Sequence, residues 1–212
     1  MERLVLLGAG GHFKVVVDII EKQFDIIGVT DADLAKHNSN YYGINVIGDD
    51  GILSRLYSEG VSNALVTLGS IGDSSVRKKL YFMARGMGFK MINVVSFDSI
   101  ISKSVVMGTG NFISDRAIMH ADTIIGNNVI INTGSIIEHD CVIEDHVHVS
   151  PGAMLAGGVK VGEGSHIGLG ASIIQGVTVG RNCIVGAGAV VLNDIEDNSV
   201  CGGVPARVIR KL

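Results

Sequence analysis

Two hydrophobic periods divide the chain. Up to about residue 95, short apolar runs alternate with segments of helical spacing. RLVLLGAG (3–10) predicts a strand ending in glycines, and HFKVVVDIIEKQ (12–23) a helix with Val15, Val16, Ile19 and Ile20 on one face. DIIGVTDAD (25–33) and NALVTLGS (63–70) predict a second and a third strand. SSVRKKLYFMARGMG (74–88) predicts a helix that stops at glycine, and FKMINVVS (89–96) a fourth strand. Strands alternating with helices make this a small parallel α/β unit.

From residue 101 the period becomes six. Stepping by six from Ile101 meets Met107, Ile113, Met119, Ile125, Ile131, Ile137, Ile143, Val149, Leu155, Val161, Ile167, Ile173, Val179, Val185 and Val191, without one polar residue. The next position is often glycine, as at Gly108, Gly126, Gly162, Gly168, Gly180 and Gly186. The fourth is small or β-branched, as at Ala117, Thr123, Val129, Ser135, Cys141, Val147, Ala153 and Cys183. One large and one small inward residue per hexad describe a parallel β-helix, whose short strands turn corners and whose coils bury their faces only on their neighbours. Read with three strands to a turn, residues 101–190 make about five coils.

Composition fits that reading: 29 glycines stand against two prolines, with no tryptophan. A net charge of −4 carries no basic footprint, which argues against nucleic acid as a partner. The opening MERLVLLGAGGH has an apolar run too short for a membrane span and no signal-peptide layout, so the expected location is the cytoplasm. Cys141, Cys183 and Cys201 form no CxxC pair, so neither a disulfide framework nor a thiolate zinc site is expected. Cys141 and Cys183 fall in the small inward slot, where a thiol fills core and burial raises its pKa.

Candidate chemistry concentrates in GSIIEHDCVIEDHVHVSPG (134–152), with three histidines and four acids. On the six-residue grid, His139 is outward with Asp140 after it, and His148 lies one coil from His166 on the same edge. His120 lies one coil before Glu138, and His146 is expected on the surface. A zinc site needs imidazoles converging on one point, and these spacings offer no such set. A catalytic base needs an imidazole with a near-neutral pKa and a group fixing its tautomer, which His139 with Asp140 or Glu138 could supply if a corner turns the neighbours together. Solvated histidines on a structural rod are the third reading. In the amino-terminal half, GAGGH (8–12) would present backbone amides to phosphates at a helix N-terminus, although a tight strand–helix turn explains its glycines equally well.

The chain resembles the left-handed β-helix acyltransferases. It is most similar to bacterial sugar acetyltransferases that join a small Rossmann-like domain to the hexapeptide domain. That group contains UDP-4-amino-sugar N-acetyltransferases, perosamine N-acetyltransferases and sialic-acid O-acetyltransferase-like proteins. The resemblance rests on GAGGH (8–12), NTGSIIEHDCVI (132–143), HVSPGAMLAGGVKVG (148–162), IGLGASI (167–173), VGAGAVV (185–191) and GGVPARVI (202–209). Phe97-Asp98 stands where many relatives carry His-Pro.

The resemblance implies a Rossmann-like nucleotide-sugar-binding domain over 1–97 and a left-handed β-helix acetyltransferase domain with a C-terminal tail over 98–212. It makes His139 the general base and Asp140 the acid that orients it, where some relatives have glutamate. His148 would meet the thioester end of acetyl-CoA, and Asn132 and Glu138 would lie near the acceptor sugar. Gly157, Leu169 and Ala187 would border the pantetheine groove. Gly10, Gly11 and His12, with Asp31 or Asp33 and Gly69, would hold a UDP-like handle. No metal is implied. A homotrimer with sites between subunits is implied as well, and the nine residues from His139 to His148, half a coil, fit two histidines that come from adjacent subunits. The expected reaction is N-acetylation of a nucleotide-linked amino sugar by direct transfer. O-acetylation of a sialic acid or other sugar hydroxyl, and a non-catalytic binding β-helix, are the alternatives.

Overall fold

Residues 1–20 and 23–212, which the computed structural model describes, form two units: Met1–Gly69 with Ser75–Val94, and Ser70–Ser74 with Val95–Leu212. In the first, the elements run β1 (Arg3–Leu7), α1 (Gly11–Ile20), β2 (Asp25–Thr30), β3 (Asn40–Tyr41), β4 (Ile44–Gly48), α2 (Leu53–Ser58), β5 (Asn63–Val66), α3 (Ser75–Gly86) and β6 (Lys90–Met91). The sheet order is β3-β4-β2-β1-β5-β6. Leu4 to Leu7 of the inner strand β1 are wholly buried, as expected for a strand covered on both faces. Phe13, Val16, Val17 and Ile20 form the buried face of α1.

Three expectations change here. The pairing is not wholly parallel, because β3 and β4 form an antiparallel hairpin at the sheet edge. The predicted strand over 89–96 is two short pieces, Lys90–Met91 and Val94–Val95. The predicted helix over 12–23 is α1 as far as Ile20, and its continuation through Glu21 and Lys22 lies outside the described residues.

In the second unit the six-residue period becomes a left-handed parallel β-helix of two-residue strands. Face 1 stacks Phe112–Ile113, Ile130–Ile131, His148–Val149, His166–Ile167 and Ile184–Val185. Face 2 stacks Ile100–Ile101, Ile118–Met119, Ile136–Ile137, Met154–Leu155, Ser172–Ile173 and Val190–Val191. Face 3 runs from Val106–Met107 through Ile124–Ile125, Val142–Ile143 and Lys160–Val161 to Thr178–Val179. Register is i to i+18 throughout, so each hexad residue sits on its own equivalent one coil away. From Ile113 to Val191 every one is at most 2 % exposed, and full burial of such a side chain contributes roughly 1.5–3 kcal/mol.

The corners explain the rest of the hexad. From Gly110 to Gly188 each turn uses one left-handed residue, such as Gly134 (φ 64°), Asp140 (φ 60°), His146 (φ 62°) or Gly152 (φ 66°), and all but Arg116 are glycine, asparagine, aspartate or histidine, which tolerate this conformation better than other residues. At Gly108 a side chain is excluded, because a Cβ would lie 2.5 Å from Oδ1 of Asn127 in the next coil. That oxygen accepts the Thr109 N–H at 3.0 Å. Asn111 occupies a small inward slot, yet is wholly buried: its Nδ2 donates to Gly126 O at 2.9 Å and its Oδ1 accepts from Val129 N at 2.7 Å. A polar residue survives there by completing corner hydrogen bonds.

His146 is a correction. Expected on the surface, it is 1 % exposed. Its left-handed corner turns the ring onto the coil below, where Nδ1 meets Nδ2 of Asn128 at 2.9 Å.

Candidate active site

His139 follows the face 2 strand Ile136–Ile137, and Asp140 is the left-handed corner residue after it. The corner brings the neighbours together where a straight strand would point them to opposite faces. His139 Nδ1 lies 2.7 Å from Asp140 Oδ2. The carboxylate can only accept, so Nδ1 carries the proton and Nε2 is left as the basic atom. The hydrogen bond that His139 donates to Asp140 raises the His139 pKa above its ordinary value, opposed by slight desolvation and helped by the charges of Asp140 and Glu138. Both side chains are more than half exposed. Glu138 Oε1 lies 3.8 Å from His120 Nε2, one coil away.

Gly157 supports this ring. A Cβ there would lie 2.6 Å from both Cε1 and Nε2 of His139. The clash would fall on the free end of an exposed side chain, so the ring would move and the coil would not. Gly157→Ala is therefore expected to leave the melting temperature unchanged while lowering kcat by about 10²-fold, the scale of an ångström-sized misplacement. An unaltered kcat would mean that the ring's seat does not matter. Cys141, beside this pair in sequence, points into the core. Its Sγ donates to Ala156 O at 3.3 Å and burial raises its pKa, which leaves no reactive thiolate.

A second feature lies on face 1. A cavity of about 470 Å³ is lined mainly by apolar atoms of Ile71, Pro151, Leu169, Ile184, Val185 and Ala187, with Asn132, Ser150, His148 and His166 among its polar groups. His148 and His166 are adjacent in register, with ring centroids 5.0 Å apart and edge to face. His148 Nδ1 is 2.6 Å from Ser70 O, and its Nε2 is 3.3 Å from Asn132 Nδ2. A carbonyl accepts, so the proton sits on Nδ1 and Nε2 accepts from Asn132. Neutral His148 therefore has no N–H to offer an oxyanion, and Asn132 is the amide donor beside it.

The amino-terminal unit uses its candidate residues differently. Asp31 Oδ2 accepts from Ala9 N at 2.8 Å and from Lys36 Nζ at 2.9 Å, and its Oδ1 accepts from Asp33 N at 2.9 Å. Burial pulls the Asp31 pKa up, but these bonds and the Lys36 charge outweigh it and hold the carboxyl below its usual range. Asp33 caps the short helical turn Leu34–Lys36 by accepting from Ala35 N. Gly10 and Gly11 face open space at the start of α1, and a Cβ at Gly69 would approach His12 Cβ at 3.3 Å. Part of His12 is accessible, yet burial first, and Arg77 second, lower its pKa to about 4, so the imidazole is neutral at pH 7. A slot of about 130 Å³ is bordered by Gly8, Thr30, Asp31, Ala32 and Asp50, with Thr30 Oγ1 donating to Asp50 Oδ1 at 2.5 Å. Among the described residues, no three His, Cys, Asp or Glu side chains gather as a metal-binding group, and no helix is long and apolar enough to cross a membrane.

Residues 3–84 match the family model of the PglD N-terminal domain, and residues 140–173 that of the bacterial transferase hexapeptide with six repeats. A crystal structure of a histidine-to-asparagine mutant of perosamine N-acetyltransferase from Caulobacter crescentus, in complex with CoA and GDP-perosamine, is similar along 100 % of this chain and 98 % of that one. The identity is 37 % and the TM-score 0.93. The chain belongs to the hexapeptide-repeat sugar acetyltransferases. Another member of the family, the acetyltransferase domain of PglB from Neisseria gonorrhoeae in complex with acetyl coenzyme A, is 33 % identical over 98 % of this chain and 99 % of that one, with a TM-score of 0.91. An uncharacterised protein of Acanthamoeba polyphaga mimivirus is 31 % identical over 51 % of this chain, which spans only 20 % of that relative's length.

Within this sugar acetyltransferase, the predicted residues fall into three groups. His139, Asp140, Glu138 and Gly157 gather at one corner. His148, Asn132, Leu169 and Ala187 border the face 1 cavity, so Gly157 is parted from the groove residues with which the resemblance had placed it. Gly10, Gly11, His12, Asp31, Asp33 and Gly69 lie in the first unit. Ser70 and Ile71, which orient His148 and cap the cavity, and Asp50, which borders the smaller slot, escape sequence reasoning. They carry no periodic signal.

Proposed function

We propose that this chain transfers the acetyl group of acetyl-CoA to the amine of a nucleotide-linked amino sugar, with His139 as general base. The observation that carries the reading is the His139–Asp140 pair, which leaves a raised-pKa Nε2 exposed on a rigid corner. Attack by the amine on the thioester carbonyl forms the C–N bond and a tetrahedral oxyanion. Nε2 takes the proton that nitrogen must lose, the imidazolium is held by Asp140, and collapse breaks the C–S bond to release the CoA thiolate. The apolar cavity beside His148 fits a pantetheine arm, and the Asn132 amide supplies a donor near the thioester. No covalent intermediate on the enzyme is needed.

Support for the substrates comes from the similar enzymes, one crystallised with CoA and GDP-perosamine and another with acetyl coenzyme A. In this reading the Gly10–His12 turn and the slot beside Asp31 and Asp50 take the nucleoside diphosphate. UDP is the handle implied by the resemblance and GDP the one borne by the Caulobacter relative's sugar, so both belong in the assay. The reading places the enzyme in the cytoplasm, with its two substrates.

It also requires a homotrimer. His139 follows face 2 and His148 lies on face 1 of the same chain, so one chain does not close both groups around a thioester. Ile100 and Met154 are exposed on face 2, with Ile118 and Ile136 half-buried between them, an apolar ladder next to the His139 corner that a second copy would cover. The test is turnover with acetyl-CoA and a panel of UDP- and GDP-linked amino sugars, alongside their hydroxyl counterparts. Acetylated amine is the expected product, and product from the hydroxyl sugars alone would replace the proposal with O-acetylation.

A further inference from the structure

Two backbone groups fix the proton pattern along the polar edge of the face 1 cavity. At one end the Ser70 carbonyl, 2.6 Å from His148 Nδ1, can only accept. At the other end the Thr133 N–H donates to Asn132 Oδ1 at 2.9 Å. Between them, His148 Nε2 and Asn132 Nδ2 lie 3.3 Å apart. The Ser70 carbonyl keeps the ring proton on Nδ1 and leaves Nε2 as an acceptor. The Thr133 N–H holds the amide oxygen on its own side and turns the NH2 group toward the ring. Each anchor alone therefore predicts the same bond, Asn132 donating to His148. The opposite tautomer, or the opposite amide flip, would set like against like at two places.

The amide needs such a hold. Asn132 is fixed by its backbone, whose N–H donates to Val149 O at 3.0 Å and whose carbonyl accepts from Ser135 Oγ at 2.7 Å, so only its side-chain torsions remain free. That side chain is half-buried at the cavity wall, where it would otherwise swing between rotamers. His148 is suited to holding it. The ring is buried, packs edge to face on His166 with centroids 5.0 Å apart, and is tied through Nδ1 to a main-chain carbonyl. With Oδ1 on Thr133 and one N–H on His148, Asn132 keeps a second N–H that meets no protein acceptor among the described residues.

The next coil repeats the spacing with another residue. His166 Nε2 lies 3.3 Å from Ser150 Oγ, again 16 positions back along the chain. A hydroxyl carries one proton, so Ser150 can give it to the ring or to a ligand and not to both, whereas an amide nitrogen has two. Asparagine is what lets the pair hold a donor still and present it as well.

Resting on acetyl transfer as proposed above, we infer that His148 is a positioning residue: it acts through Asn132, aiming the second amide N–H at the thioester oxygen, and makes no hydrogen bond to the thioester itself. The resemblance had set His148 against the thioester directly.

Nitrogen-15 NMR of the histidine rings in the full-length protein tests the arrangement without any acceptor sugar, the His148 signals being assigned by their loss in His148→Gln. His148 should be the Nδ1–H tautomer, and an Nε2–H ring would overturn the inference. Kinetics test the role, with acetyl-CoA and the UDP- and GDP-linked amino sugars as substrates. Asn132→Ala should lower kcat by about 10²–10³-fold, the scale of one oxyanion donor. His148→Asn keeps a donor for the Ser70 carbonyl and removes the acceptor for Asn132, and should lower kcat by about 10²-fold, the scale of a misplaced group, with CoA affinity by calorimetry within a factor of a few. His148→Gln, whose Oε1 reaches the place of Nε2, should stay within about ten-fold of wild type, the scale of the single hydrogen bond to Ser70 that it gives up. Added to Asn132→Ala, His148→Asn should cost nothing more, because no amide is left to aim. Losses that multiply would overturn the inference and put His148 on the thioester. Absence of turnover by wild type with every amino sugar would bring down the transfer reading instead, and the tautomer would still be decided by NMR.

Discussion

His139→Ala is expected to lower kcat by about 10²–10⁴-fold, the usual contribution of a positioned general base, while CoA affinity stays within a factor of a few. Thiol release from acetyl-CoA measures the first and calorimetry the second. The split follows from the geometry, since His139 sits on the face 2 corner and the apolar cavity is on face 1. A parallel loss of CoA binding would mean that His139 is a binding residue. The pH profile gives a sharper check. The base works as neutral imidazole, so activity rises as pH increases through its pKa, and the hydrogen bond it donates to Asp140 sets that pKa above the ordinary histidine value. In Asp140→Asn the acidic limb should move to lower pH, because the imidazolium loses its anionic partner. The plateau should also fall, because an amide no longer holds the ring in the Nδ1–H tautomer as firmly. A limb that stays in place would remove His139 from the proton transfer.

How much of this was legible depended on whether a residue's surroundings repeat. Each inward hexad residue meets its equivalent above and below, so burial is written directly into the spacing, and Cys141 and Cys183 could be placed in the core from the grid alone. Corner geometry was less legible. Asp140 and His146 hold the same left-handed position, yet one turns its side chain to the neighbouring histidine and the other buries its ring on Asn128. Spacing assigns the corner and says nothing of the rotamer. Asp31 and Asp33 were legible as acids after a strand, but their oxygens are largely taken up by loop amides and Lys36. Ser70 was beyond reach, since its carbonyl meets His148 across 78 residues of sequence. The His139–Asp140 pair was anticipated as adjacent elements, and its hydrogen bond needed the corner.

Ile143→Ala should cost about 2–5 kcal/mol, the range for truncating a large aliphatic residue in a packed core. Ile143 is 1 % exposed and stands in register between Ile125 and Val161. A β-helix is close to one-dimensional, so the cavity left behind can be relieved only by the coil above and the coil below. Met107→Ala at the first coil of face 3 should cost clearly less. Met107 is partly buried and, among the face 3 strands, its own stacks only on Ile124–Ile125. Denaturant midpoints of the two variants at equal protein concentration test the difference, and equal losses would contradict nearest-neighbour packing. The central coil also bears on catalysis. Ile143 lies on the strand that directly follows the corner holding His139 and Asp140, and Cys141 between them is wholly buried in the same core. Loosening this coil frees the corner from which the base is presented, so Ile143→Ala should lose activity at lower denaturant than it loses bulk strand structure, whereas Met107→Ala should lose both together.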